Sequence, residues 1–372
     1  MHICFVVEGY PTDKDPFMPF VRNFLVELVR QGVQCSVIAP QSITRAFRHH
    51  LPIRPNHWKD YVTVDKYIDV YQPSFITISG LFPTYEKKAF THASKTAYSQ
   101  IEDPIDALYG HFWHMGVVAS NLDYNKPVFV ACGESRIIIQ KKYSAKELEV
   151  FLKRLTGVIY VSTKSYKEAK EKGLQINTPY IVAPNGYNPN TFSACEKVQC
   201  RKELNWPIDK YVVCFVGAFN ERKGSQRVSE AISHIQDPVY SCFIGRGDAK
   251  PTCNNILFCG TLANEEISKY LSASDVFVLP TNNEGCCNAI IEAMACGLPI
   301  ISSNQAFNDD ILKKENSIRI NPNSIQEIQE AIEQLRDETV RNDMSKESLK
   351  IASMLKMEQR AKTIISFISK QI

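Results

Sequence analysis

The chain has 372 residues, of which 44% are apolar and 22% charged, and its formal net charge is +3 at neutral pH. That length exceeds one ordinary core and fits two domains of about 180 residues each, the composition is that of a globular protein, and the near-neutral balance speaks against nucleic-acid binding. No apolar run approaches the ~20 residues of a membrane span, and the opening Met1-His-Ile-Cys-Phe-Val-Val-Glu8 lacks the basic start of a secretory signal, so the expected compartment is the cytoplasm.

Residues 2–7 read as a strand that feeds a polar loop from Glu8 to Pro16. Phe20, Val21, Phe24, Leu25, Leu28 and Val29 then share one helical face, Gly32 ends the helix, and residues 33–39 form the next strand. This β-loop-α-β opening starts a Rossmann-like domain, although no Gly-x-Gly-x-x-Gly is present. Residues 41–73 are expected to be the least regular. They carry Arg45, Arg48, His49, His50, Arg54, His57 and Lys59 among Phe47, Leu51, Ile53 and Trp58, and residues 1–190 hold 22 Lys and Arg against 17 Asp and Glu. Such a stretch suits a solvated loop, or equally contact with an anionic membrane surface or a lipid-diphosphate acceptor. A strand over 75–79 and helical spacing over 85–101 follow. The strand over 105–109 delivers Gly110-His111-Phe-Trp-His114 to its carboxyl end, where open α/β sheets place ligands; the alternative is two histidines packed among Phe112 and Trp113. The strand over 127–132 ends in Gly133-Glu134-Ser135-Arg136. A strand over 157–161, a helix over 164–172 and a strand over 180–183 lead to the turn-rich Pro184-Asn185-Gly186-Tyr187, which sets the domain boundary near residue 190.

The second half opens with a strand over 211–217 that runs into Ala218-Phe-Asn-Glu-Arg222-Lys223-Gly224 and a helix over 225–235. Cations beside a glycine at a helix start suit a diphosphate, although the bare pattern is common in exposed turns. A strand over 240–245 ends in Gly245-Arg246-Gly247, and one over 256–260 is followed by Thr261 and Leu262. Residues 276–279 are a short apolar strand, Asn288 is a good N-cap, residues 289–296 are strong helix formers, and Gly297 and Pro299 end that helix before a strand begins at Ile300. Glu292 is the only charge in this helix and is costly to bury without a partner. Glu284 stands eight residues earlier, in the loop after the strand, and Gly285, Cys286, Cys287 and Asn288 offer backbone N–H groups at the helix start. A strand over 317–320 and helices over 325–335 and 357–368 complete the chain. The 12 cysteines include no Cys-x2-Cys pair; Cys195 and Cys200 come nearest and no His completes them, so reduced core residues and no metal site are expected.

Glu284-x7-Glu292 followed by Ala-Met-Ala-Cys-Gly-Leu-Pro resembles the donor-site signature of retaining GT-B glycosyltransferases of family 4, the group 1 set. The resemblance covers nearly the whole chain: Pro184-Asn185-Gly186 is similar to the segment joining the two GT-B halves, and residues 357–368 to the helix that returns to the first half. It implies an α/β fold of two Rossmann-like, doubly wound domains facing across a cleft, with residues 1–190 binding the acceptor, 191–352 the nucleotide-sugar, and 353–372 the returning helix. The implied catalytic set is His111, Glu284 and Lys223. Glu292 would hold ribose hydroxyls, Glu284 sugar hydroxyls, and Arg222, Lys223, Gly285, Cys286, Cys287 and Asn288 the diphosphate and sugar, with Gly9, Gly245, Thr261 and Leu262 at the edges of the donor. Glu134 and Arg136 are carried as acceptor-side candidates. Three departures stand out: Ala218 replaces an arginine whose charge either Arg222 supplies or the site does without, Asp15-Pro16-Phe17 replaces a Gly-Gly pair, and Cys132-Gly-Glu-Ser replaces His-Gly-x-Asp. The implied activity is metal-independent, retaining transfer of a hexose or N-acetylhexosamine from a nucleotide-diphosphate sugar, expected to be a UDP-sugar, to a glycan or lipid-linked acceptor in polysaccharide biosynthesis. No cofactor beyond the donor is implied, and the expected place of work is the cytoplasm, with a peripheral position at the inner face of the cell membrane as the alternative. The rivals are a GT-B sugar-nucleotide epimerase, whose product forms without acceptor, and a non-catalytic sugar-nucleotide-binding partner subunit.

Overall fold

Short β-branched and aromatic runs separated by helical spacing favour parallel strands joined by crossover helices, and both halves of this chain fold that way. A computed structural model describes residues 1–12, 17–77, 83–175 and 177–372. The chain divides into two units: residues 1–161, 165–183 and 361–372 form the first, and residues 162–164 and 184–360 the second.

In the first unit the elements run β1 (His2–Val6), α1 (Pro19–Arg30), β2 (Gln34–Ile38), β3 (Gln41–Ser42), α2 (Ile43–Arg48), β4 (His57–Tyr61), β5 (Tyr67–Tyr71), β6 (Ser74–Phe75), α3 (Pro83–Tyr98), β7 (Ala107–His111), α4 (Trp113–Ser120), β8 (Val128–Cys132), α5 (Ala145–Leu152), β9 (Leu155–Tyr160), α6 (Thr163–Glu171) and β10 (Tyr180–Val182). The sheet order is β10-β9-β8-β7-β1-β2-β5-β4. Every pairing is parallel except β4 with β5. The face of α1 that the spacing picked out is the buried one: Val21, Phe24, Leu25, Leu28 and Val29. The stretch 41–73 is more ordered than expected, because its charged residues alternate along an edge hairpin where one face meets solvent. Only Ser74 and Phe75 form the expected strand at 75–79, whose last two residues lie outside the described ones, as do Asp15 and Pro16 of the departing loop.

The second unit runs α7 (Lys197–Glu203), β11 (Val212–Val216), α8 (Ser225–Ser233), β12 (Tyr240–Ile244), β13 (Ile256–Gly260), α9 (Asn264–Ser272), β14 (Val276–Leu279), α10 (Asn288–Ala295), β15 (Ile300–Ser303), β16 (Ser317–Ile320), α11 (Ile325–Gln334), α12 (Glu338–Ser353) and α13 (Met357–Ser369). Its sheet is wholly parallel, in the order β13-β12-β11-β14-β15-β16. Behind the sheet a buried network fixes the bottom of β14: Arg201 donates to Asp275 at 2.6 Å, Lys197 to the other oxygen at 2.7 Å, and the Val212 N–H at 2.8 Å.

The division falls at 183/184 and 360/361 rather than at 190 and 353. Residues 184–193 are already tied to the second unit, through Tyr187 N–H to Leu355 O at 3.0 Å, Met357 N–H to Tyr187 O at 2.8 Å, and Ser193 N–H to Ser268 Oγ at 3.4 Å. The far end of α13 belongs to the first unit, where Phe367 packs edge-on to Phe129 with ring centroids 6.0 Å apart. Among the described residues no helix is long and apolar enough to cross a membrane.

Candidate functional site

Parallel strands send their loops out together at the carboxyl edge of the sheet, so residues far apart in the second half of the chain converge there. The loop after β11 and the loop after β14 meet on the carboxylate of Glu284. Its Oε1 accepts from Lys223 Nζ at 2.8 Å, from Thr281 Oγ1 at 2.8 Å, and from the Arg222 guanidinium. Arg222 also donates to Asn283 O at 2.7 Å, and the Asn282 N–H returns to Arg222 O at 2.8 Å, which laces the two loops. Burial works against the Lys223 ammonium, yet Cys287 and Glu284 beside it carry its pKa above the ordinary lysine value.

The pattern Arg222-Lys223-Gly224 is held as a tight turn by Asn220, whose Oδ1 accepts from the Lys223 N–H at 3.0 Å. Gly245 is a glycine because a side chain there would meet Gly217 O at 1.9 Å. This packs the end of β12 against the start of the phosphate-type loop. Thr261 and Leu262 follow β13 as expected.

At the start of α10 the expectation for Asn288 is corrected. Cys287 occupies the N-cap, with no side-chain cap, and Asn288 is the first helical residue; its Oδ1 accepts from Asn185 Nδ2 at 2.8 Å, which also donates to Cys286 O at 3.2 Å. The cap is spent on the joining segment, and the N–H groups of Gly285, Cys286 and Cys287 donate to nothing among the described residues. A helix N-terminus with free amides next to a lysine attracts an anion. Glu292 lies one turn inside this helix, partly exposed, with no hydrogen-bond partner for its carboxyl among the described residues. Burial pushes its pKa up to about 7, against the pull of Lys223. The site therefore pairs one carboxylate already satisfied by cations with one that has nothing to bind.

In the first unit, β7 ends at His111, whose ring lies tilted against Phe20 and edge-on to Phe112, with centroids at 5.5 and 4.7 Å. Phe112 has φ 84, a costly conformation for a side chain of this size; its N–H to Ala131 O at 2.9 Å and its carbonyl, accepting from the Gly116 N–H at 3.0 Å, hold it. Glu134 does not sit free on the acceptor side. Its Oε1 takes the Trp113 N–H at 2.7 Å and so secures the start of α4 behind His111, while burial lifts its pKa to about 7. Arg136 is exposed. His114 pairs with Glu8, a contact the spacing did not reveal, and Gly9 stands beside it, its Cα within van der Waals reach of Phe17 such that an added Cβ would meet the ring at 2.6 Å.

Several of these supports were not legible beforehand. Thr281 and Asn185 carry no charge pattern. Arg227 looks like a polar residue on α8 but is buried, donating to Pro322 O at 2.7 Å, Pro280 O at 2.9 Å and Glu221 O at 2.8 Å, which ties together the loops on either side of the Glu284 cluster. A lone charge among the otherwise small and apolar buried positions of α8 is the signal that could have pointed to it.

Residues 197–351 match the family described as glycosyl transferases group 1. The chain is 27% identical over 362 residues to the Bacillus subtilis glycosyltransferase TuaC, a protein assigned to teichuronic acid biosynthesis, with 91% of this chain and 90% of that protein covered. It is 30% identical over 222 residues, 54% of this chain and 57% of the relative, to an Escherichia coli UDP-Gal:alpha-D-GlcNAc-diphosphoundecaprenol alpha-1,3-galactosyltransferase. The fold is the GT-B fold of sucrose-phosphate synthase from Thermosynechococcus elongatus, with a TM-score of 0.79 at 18% identity over 99% of this chain and 98% of that one.

Proposed function

We propose that this chain, whose residues 197–351 belong to the group 1 glycosyl transferases, moves a hexose or N-acetylhexosamine with retention from a UDP-sugar to a glycan or lipid-linked acceptor in polysaccharide assembly. It does so without a metal ion, in the cytoplasm or at the inner face of the membrane. The observation that carries this reading is the α10 start: unpartnered amides at Gly285, Cys286 and Cys287, with the unsatisfied Glu292 one turn behind and Lys223 beside them. A nucleoside diphosphate sugar has the matching parts, a neutral diol for Glu292 and an anion for the amides and cations.

In this reading the diphosphate draws Arg222 and Lys223 away from Glu284 and frees that carboxylate for hydroxyls of the donor sugar. As the bond from the anomeric carbon to the diphosphate breaks, charge grows on the leaving oxygen. Lys223, Arg222 and the amides meet it in a site that needs little reorganisation. The acceptor hydroxyl attacks on the face the diphosphate leaves, its proton passing to a phosphate oxygen. The UDP-galactose and the diphosphate-linked acceptor in the name of the Escherichia coli relative support the choice of substrates.

The test is thermal shift with nucleoside diphosphates and their sugars, with and without magnesium. A ligand at a hundredfold over its dissociation constant adds roughly 2.7 kcal/mol. The expected result is a magnesium-independent shift by UDP and its sugars that Glu292→Ala abolishes. An unchanged shift in that variant would overturn the assignment, and sugar-nucleotide conversion without acceptor would favour an epimerase instead.

A further inference from the structure

The basic stretch singled out between residues 41 and 73 is not absorbed by the donor site. Folding splits it. His57 pairs with Asp69 at 2.6 Å and Lys59 lies 4.0 Å from the Tyr67 ring centroid, both on the β4–β5 hairpin. Arg45 and Arg54 instead face a cavity of about 610 Å³ that lies wholly inside the first unit, at the carboxyl edge of its sheet.

That cavity has two kinds of wall. Phe17, Leu51, Phe75, Phe90, Met115 and Val118 make one side apolar. Among the described residues the polar side holds five cations, Arg45, Arg54, Lys87, Lys141 and Lys142, against two carboxylates, Glu8 and Glu86. Glu8 is already taken by His114. Arg54 is anchored on Tyr10 O at 2.5 Å, and Lys87 on Glu147 at 2.7 Å. Arg45, Lys141 and Lys142 are exposed: Arg45 lies over the face of Phe17, 4.9 Å from its centroid, Lys142 stands near enough to Glu8 to pull its pKa down, and among the described residues none of the three side chains makes a hydrogen bond or ion pair. Three unspent cations facing an apolar cavity are poorly matched to a neutral sugar. They suit an anion that carries an apolar chain. Phe47, Ile53 and Ile76, each next in sequence to a lining residue, are 85%, 60% and 55% exposed.

We propose that this cavity binds the diphosphate and the first isoprene units of a lipid-diphosphate acceptor, with Arg45, Lys141 and Lys142 holding the diphosphate. The proposal rests on the glycosyltransferase reading above and narrows its acceptor: recognition is through the charged linker and its lipid, and a free glycan lacks both. Glu8 with His114 forms the polar floor beside Gly9, and Arg54 and Lys87 are structural cations of the rim.

The test uses the full chain and farnesyl diphosphate as the probe, with binding measured by titration calorimetry. Inorganic pyrophosphate, farnesol and vesicles with and without anionic phospholipid are the other arms. Farnesyl diphosphate is expected to bind at least tenfold more tightly than either pyrophosphate or farnesol, and to lose at least tenfold in Arg45→Ala and in Lys141→Ala/Lys142→Ala, while those variants keep the wild-type thermal shift with UDP. Equal binding of farnesyl diphosphate and pyrophosphate would overturn the proposal, as would unchanged affinity in both variants. Binding to anionic vesicles alone would show instead that the cations serve a membrane surface. Failure of UDP to bind, with farnesyl diphosphate still held by Arg45 and the lysines, would sink the donor reading and leave the cavity a lipid-diphosphate site.

Discussion

At the scale of single residues the donor-type site is an arrangement of unequal carboxylates. Glu284 is surrounded by cations and Glu292 is not, so burial raises Glu292 to about 7 from an ordinary 4.5. Its folded pKa lies above the unfolded one. The cost to stability is therefore absent below about pH 4.5, grows as pH rises toward 7, and is complete above it, on the order of 3 kcal/mol at most. Urea midpoints at pH 5 and pH 8.5 should show Glu292→Gln gaining stability relative to wild type only at the higher pH. A diol is accepted best by the ionised form, so nucleotide affinity is expected to rise as pH passes 7 in wild type and to stay flat in Glu292→Gln. Lys223→Met is expected to lower turnover by roughly 10²–10³-fold, since it removes one cation from the developing charge; steady-state kinetics with a nucleotide-sugar would read it. A mutant within threefold of wild type would mean that Arg222 alone suffices. Glu284, Glu292, Arg222 and Lys223 were legible in the sequence because charges stand out among glycines and apolar helix formers. That Lys223 and Arg222 rest on Glu284 was not, because it depends on two loops about 60 residues apart meeting at one sheet edge.

At the scale of elements, the loops are held by buried polar ties rather than by their own propensity. Arg227 satisfies carbonyls of three loops, so Arg227→Met should leave Pro280 O, Pro322 O and Glu221 O wanting donors and cost about 3 kcal/mol. Asp275 is the same case at the opposite edge of the sheet: with Arg201 left buried and unpaired, Asp275→Ala is expected to cost about 3–5 kcal/mol in denaturant unfolding. The strands and helices themselves were mostly readable, their ends within a few residues, because period and turn residues mark them. The exceptions are instructive. The β4–β5 hairpin was missed because an edge hairpin needs no apolar alternation on its open face. The N-cap of α10 was misplaced because Asn288, the best capping residue in sight, is claimed by Asn185 from the joining segment.

At the scale of the whole molecule the chain crosses from one unit to the other earlier than its turn signals suggest, and returns through the last helix. Phe367, near the chain end, packs against Gly157 and Phe129 in the first unit. Phe367→Ala should therefore cost about 3–5 kcal/mol and lower the melting of the first unit, while the stabilisation of the second unit by UDP persists; loss of the UDP effect would contradict that division. What the sequence determined by itself was local: the alternation of strand and helix, two Rossmann-like units, and the charged residues of the loop after β14. These follow from periodicity, glycine and proline placement, and the cost of burying an unmatched carboxylate. Only the tertiary structure decided which charges are spent and which are free. Among the described residues Glu8 with His114 and Glu284 with Lys223 are paired, whereas the side chains of Glu292, Arg45, Lys141 and Lys142 make no hydrogen bond or ion pair. Partnership depends on side chains brought within about 3 Å across the sheet edge, and that distance is set by the packing of elements far apart along the chain.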